Sequence, residues 1–152
     1  MTFIVVLIFL VDQLSKYFIA TTFRIGESRP VIDHIFHLTY VRNTGGAFGL
    51  LKDWAPLLII ISLVAIVVIV RIAVMRQTVS PRQRIGQYAV AAILGGALGN
   101  LADRLHLGYV VDFLDFRVWP VFNVADVAIT IGVGLLILEL FLPAPPMRDD
   151  AV

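Results

Sequence analysis

Four apolar runs, each about as long as a bilayer crossing, constrain this chain more than any motif: residues of about 2–22, 54–75, 87–107 and 122–142. A spanning helix needs about 20 predominantly apolar residues, since its backbone polar groups find no water in the hydrocarbon layer and must satisfy one another. With 59% of the 152 residues hydrophobic and 15% charged, little is left over for a separate soluble domain. The expectation is one integral membrane domain over 1–152: an all-α bundle of four transmembrane helices with a small β element over about 23–53. A net charge of +1 gives no reason to expect nucleic acid, and the absence of Cys excludes disulfides, thiol catalysis and thiolate metal sites. Any chemistry must come from oxygen and nitrogen groups.

The first run has the length of a signal peptide, but it lacks a basic leading region, and Asp12 and Lys16 interrupt its apolar core. It reads as a retained helix. Asp12 and Lys16 are spaced i,i+4 and share a face, where they can neutralise each other or reach polar groups on a neighbouring helix. Packing the bundle and contacting substrate are both open roles for the pair. From Phe23 to Asp53 the chain is too polar to span. Alternation through Phe36-His37-Leu38-Thr39-Tyr40-Val41 and the turn at Asn43-Thr44-Gly45-Gly46 indicate short strands on the membrane surface. Arg42 and Asn43 offer hydrogen bonds there, beside glycines that let another backbone approach. His34 and His37 lack a third ligand pattern, so no metal or other cofactor is expected.

Trp54 suits an interfacial anchor for the second helix. The connection from Arg71 to Arg84 contains four arginines and no acid, which favours the cytoplasm, although Phe23 to Asp53 also carries four basic residues (Arg24, Arg29, Arg42 and Lys52) over a longer stretch; with the arginine connection inside, both termini are inside and the β element and Asp112 outside. The third helix carries two adjoining stripes, Ala91/Gly95/Gly99/Asp103 and Ala92/Gly96/Asn100/Arg104. Small residues at every fourth position permit close helix contact in lipid, and the stripes end in an acid, an amide and a guanidinium. An ion pair between Asp103 and Arg104 is the plain structural reading of those two residues.

Asp112 and Asp126 stand in strongly apolar sequence, where an ionised carboxylate is costly unless it is paired, solvated or protonated. Tyr109 to Pro120 is too short to span and is expected to be an interfacial half-helix or turn, with Asp126 about one turn inside the fourth helix. The two acids can then face one another near one membrane boundary, as suits a hydrolysis in which one carboxyl activates water and the other donates a proton. Asp115, beside Arg117, has an easier explanation as a solvated or paired surface acid. Pro143, Pro145 and Pro146 close the last helix.

Five pieces of the chain, in order and spread over nearly its whole length, together resemble the bacterial lipoprotein signal peptidases, also called signal peptidase II. They are Asp12-Gln13-Leu14-Ser15-Lys16, Asn43-Thr44-Gly45-Gly46-Ala47-Phe48, the run from Gly95 to Arg104, Tyr109-Val110-Val111-Asp112-Phe113 and Phe122-Asn123-Val124-Ala125-Asp126. The resemblance implies a membrane aspartyl endopeptidase that removes the signal peptide of diacylglyceryl-modified prolipoproteins just before the lipidated cysteine. It implies Asp112 and Asp126 as the catalytic pair, with Asn43, Gly45, Asn100, Arg104 and Asn123 around the substrate site and Asp12 and Lys16 in support. Lipidated prolipoproteins and membrane lipids are the implied partners of a monomer in the bacterial inner membrane, its site near the extracytoplasmic face. Gly46 and Val127 depart from the commoner residues at their positions.

Two other classes compete. A proton-coupled transporter also carries intramembrane acids, but near the midplane, whereas Asp126 lies about 6 Å past Phe122, against roughly 15 Å to mid-bilayer. A serine-type peptidase fits poorly, because Ser15 and Lys16 are adjacent on a helix and point apart, and there is no Gly-x-Ser-x-Gly turn.

Overall fold

The apolar runs form four helices: α1 (Thr2–Thr22), α2 (Ala55–Met75), α3 (Pro81–Leu107) and α4 (Val124–Phe141). The structure, a computed structural model, describes residues 1–45, 55–75 and 81–142. Each helix is long and apolar enough to cross a membrane; at ~1.5 Å per residue, the 21 residues of α1 extend about 30 Å. The expectations for Gly46, Trp54, residues 76–80 of the arginine-rich connection and the closing prolines concern positions outside the described residues. α3 opens at Pro81, about two turns before its apolar run, since a first helical turn has no use for the amide hydrogen that proline lacks.

α3 is the hub and touches each of the other three helices. Its two small-residue stripes serve two different partners. On one, a methyl at Gly95 would come 2.9 Å from Ile8 Cβ, and one at Gly99 would collide with the Asp12 carboxylate, so this stripe seats α1. On the other, a methyl at Gly96 would strike the Ala125 carbonyl oxygen, so that stripe seats the first turn of α4. α1 is inside out by aqueous standards. Leu14 and Phe18 are exposed, and its buried residues are Asp12, Lys16 and Ile19, as a helix requires when lipid surrounds it and polar groups must turn inward.

Beyond the helix ends lies an antiparallel sheet in the order β1-β2-β3: β1 (Ser28–Ile32), β2 (Phe36–Asn43) and β3 (Val110–Asp115). The third strand corrects the expectation of an interfacial half-helix over the residues after Gly108. Strand β2 would otherwise present an unpaired edge, and Val110 to Asp115 satisfies it while burying Val111 and Phe113. Those two side chains join Ile19 and Phe23 from the end of α1 and Tyr40 from β2 in one apolar cluster. The sheet is thereby fixed to the bundle.

Candidate active site

Alternation along β3 decides where Asp112 points. With Val111 and Phe113 committed to the apolar cluster, the residue between them must face the other way. Val41 is its direct partner on β2, so Asn43, two residues on, lies on the same face and donates from Nδ2 to Asp112 Oδ2 at 2.8 Å. Arg42 falls on the opposite side, its guanidinium 4.7 Å from the centroid of Tyr109. Of the two polar residues singled out there, only Asn43 reaches the site. Its Oδ1 accepts from the Gly45 amide at 3.1 Å, which holds Nδ2 toward the acid.

Asp126 is placed by helix capping. Asn123 is the N-cap of α4: its Oδ1 accepts from the Asp126 amide at 3.0 Å, while Asp126 Oδ2 accepts from the Asn123 amide at 3.2 Å. This reciprocal box satisfies backbone donors that a helix start leaves open. The carboxylate also sits at the positive end of the helix dipole. The same Asn123 donates from Nδ2 to Asp112 Oδ1 at 2.7 Å, so a single amide ties the two acids together. Asn100, from the α4-facing stripe of α3, donates to Asp126 Oδ1 at 2.8 Å. All four carboxylate oxygens therefore accept from nitrogen donors.

Behind these amides stands a buried charge cluster. Lys16 Nζ lies 2.8 Å from Asp12 Oδ2, 3.0 Å from Asp103 Oδ2 and 2.9 Å from Asn100 Oδ1, which uses all three ammonium hydrogens. An ammonium can only donate, so Lys16 holds the Asn100 oxygen toward itself and turns the amide nitrogen toward Asp126. Asp12 Oδ1 accepts from the Ala125 amide at 2.9 Å, and Asp103 Oδ2 accepts from the Val111 amide at 3.0 Å. The cluster thus grips α4 and β3 beside the two acids. Asp103 pairs with Lys16, correcting the expected Asp103–Arg104 pair: adjacent residues on a helix diverge. Arg104 instead reaches Ser62 Oγ at 3.4 Å and lines the cavity.

That cavity holds about 210 Å³ and is lined by Asp112, Asp126, Asn43, Asn100 and Arg104, with Trp119 and Phe122 on its apolar side. Asp12 and Lys16 do not line it. Asp112 is 2% exposed, and burial, reinforced by the nearby Asp126 charge, pushes its carboxyl from 3.8 up to about 7, although hydrogen bonds from Asn43 and Asn123 and the charge of Lys16 pull the other way. Two carboxyl groups share one cavity, then, and one of them holds its proton near neutrality. Asp115 is paired with Arg117 as expected, at 3.1 Å, but it is buried rather than solvated and also accepts from Thr39 at 2.7 Å. Sequence reasoning passed over Gln13, which donates to Asp103 Oδ1 at 2.9 Å and to the Gly99 carbonyl at 3.2 Å, and over Trp119 and Phe122. The spacing Asn123-x-x-Asp126 was a visible capping signal.

The chain has close counterparts among known proteins. The family described as Signal peptidase (SPase) II matches residues 4–142. A lipoprotein signal peptidase of Moorella thermoacetica is 51% identical over 138 residues, covering 91% of this chain and 90% of the relative. One from Brevibacillus brevis is 46% identical over 147 residues, covering 95% and 97%. A bacterial membrane enzyme solved by the in meso method at 2.3 Å resolution superposes with a TM-score of 0.83 at 35% identity, covering 99% of this chain and 93% of that one. Likeness on this scale, over the full set of helices and strands that build the cavity, makes this multi-pass bacterial membrane protein a protease of the lipoprotein signal peptidase (signal peptidase II) family.

Proposed function

We propose that Asp112 and Asp126 are the catalytic pair of an aspartyl endopeptidase that cuts diacylglyceryl-modified prolipoproteins just before the lipidated cysteine. The observation that carries this reading is the pair itself: two carboxyl groups on one cavity, bridged by Asn123, with Asp112 held protonated up to about pH 7. Asp112 carries the shared proton, and Asp126 takes one from water as the water oxygen attacks the scissile carbonyl carbon. Asp112 passes its proton to the carbonyl oxygen, giving a tetrahedral diol. As the C–N bond breaks, Asp112 recovers a proton from the diol and Asp126 delivers its own to the leaving amine. The products are a carboxylic acid and an amine, and the pair returns to its singly protonated state. Arg104, Asn43 and Asn100 orient the pair and the substrate backbone; Asp12 and Lys16 act through Asn100 and α4.

The arginines from Arg71 to Arg84 support a cytoplasmic connection, with both termini on that side and the sheet and the acid pair on the outer one. A transporter has no support here, since Asp126 lies in the first turn of α4 and Asp112 on a strand beyond the helices. The test is cleavage by purified protein in detergent of a diacylated prolipopeptide beside its unlipidated twin. Release of the signal peptide from the first and little from the second is expected. Equal turnover of both would remove the role of the lipid, and turnover of neither would remove the activity.

A further inference from the structure

A second hollow leaves the acid pair sideways. It holds about 590 Å³, begins at Asp126, and shares Trp119 and Phe122 with the reaction cavity. One wall is α4, through Val127, Thr130 and Ile131; the other is the segment after β3, through Phe116, Val118 and Trp119. At ~1.5 Å per residue, the α4 wall reaches about 7 Å beyond Asp126 toward the bilayer interior. Its surface is almost entirely apolar. The Thr130 hydroxyl donates to the Asp126 carbonyl at 2.8 Å, which removes its polarity from the groove.

The outer wall is braced from behind. Phe116 lies 4.9 Å from Phe36 and stacks on Phe122 at 5.9 Å. Arg117 takes a left-handed φ of 65°, and its amide donates to Asp115 Oδ1 at 2.8 Å, which pins the turn that carries Val118 and Trp119 beside α4. Val118 is 90% exposed and Ile131 55%. In water such a lining would be a liability; next to a membrane span it opens onto lipid.

We propose that this groove seats an acyl chain of the lipid-modified cysteine. The inference rests on the proposed activity and adds where the lipid goes. In that reaction the lipidated cysteine supplies the leaving amine, so its side chain must depart from within a few bonds of the scissile bond. A groove whose inner end is Asp126 starts at that place, and it runs into the leaflet where the chain must end. Lipid tails are as apolar as the groove, so seating a chain there adds little affinity. It fixes position, and a misplacement of about 1 Å can cost about 100-fold in rate.

The test has two arms. A diacylated prolipopeptide with a diazirine in the acyl chain, bound to the wild-type protein and irradiated, should label residues 116–119 and 127–131. The second arm compares long-chain with short-chain diacyl substrates on wild type and on Ile131→Trp, which fills the groove. The ratio of kcat/KM, long over short, should fall about tenfold or more in the variant, and taking the ratio of ratios cancels partitioning into detergent and any general loss of activity. Labelling elsewhere, or an unchanged ratio, would overturn the proposal. Groove labelling by a diazirine in the signal peptide in place of the acyl chain would also overturn it and assign the groove to the signal helix. Acyl labelling is scored without turnover, so a wild type that cleaves no lipopeptide refutes the activity alone.

Discussion

Raising the pH toward 7 should weaken the fold, and raising it past 7 should stop the reaction, because both depend on the Asp112 proton. The carboxyl moves from 3.8 to about 7, roughly three units, which at about 1.36 kcal/mol each amounts to ~4 kcal/mol. The sign follows from proton counting. Between about pH 4 and 7 the native protein keeps a proton that the unfolded chain has released, so stability falls as pH rises and levels off above the folded value. Asp112→Asn has no such proton. Thermal unfolding in detergent, measured from pH 5 to 8.5, should therefore show the wild type losing about 3 kcal/mol relative to this variant, with other titrating groups cancelling in the comparison. Over the same range kcat/KM for a non-titrating lipopeptide should fall on an alkaline limb near 7, where Asp112 loses its proton. Parallel unfolding curves for the two proteins at every pH would refute the argument that burial holds the Asp112 proton.

Other consequences follow from particular contacts. Gly96→Ala puts a methyl against the Ala125 carbonyl, within the first turn that carries Asp126; overpacking of this kind costs about 1–3 kcal/mol, and both the unfolding midpoint and kcat should drop. Lys16→Met leaves Asp12 and Asp103 buried without their counter-charge, a loss of about 3–5 kcal/mol that Asp12→Asn in the same chain should partly restore in thermal unfolding. Asp33 lies in the exposed turn of the β1–β2 hairpin, and with no natural cysteine, Asp33→Cys should react with an impermeant maleimide on intact spheroplasts; reaction only after lysis would reverse the proposed orientation.

Much of this structure was legible in the sequence, because lipid simplifies the reading. Apolar length alone located the four helices, and the small residues at every fourth position of α3 announced two faces for close packing, though not that they seat α1 and α4. The acids were conspicuous because their neighbours are apolar. What stayed hidden was non-local. Val110 to Asp115 has no local signal that separates a short strand from a half-helix; only the open edge of β2, almost seventy residues earlier, decides it. Lys16 offered several partners, and its choice of Asp103 and Asn100 depends on how α1 crosses α3 at Gly99. The groove beside Asp126 depends on a left-handed Arg117, and nothing in its residue type foretells that conformation.

If two carboxyl groups perform the hydrolysis, replacing either one alone should stop it. Asp112→Asn and Asp126→Asn, each purified in detergent and shown by thermal unfolding to be folded, should release no measurable signal peptide from a diacylated prolipopeptide, since an amide neither takes the proton of water nor returns one. Asp115→Asn, which loosens the turn at Arg117 but leaves the pair intact, should retain a substantial fraction of activity. Cleavage near the wild-type rate by either of the first two variants would contradict the account.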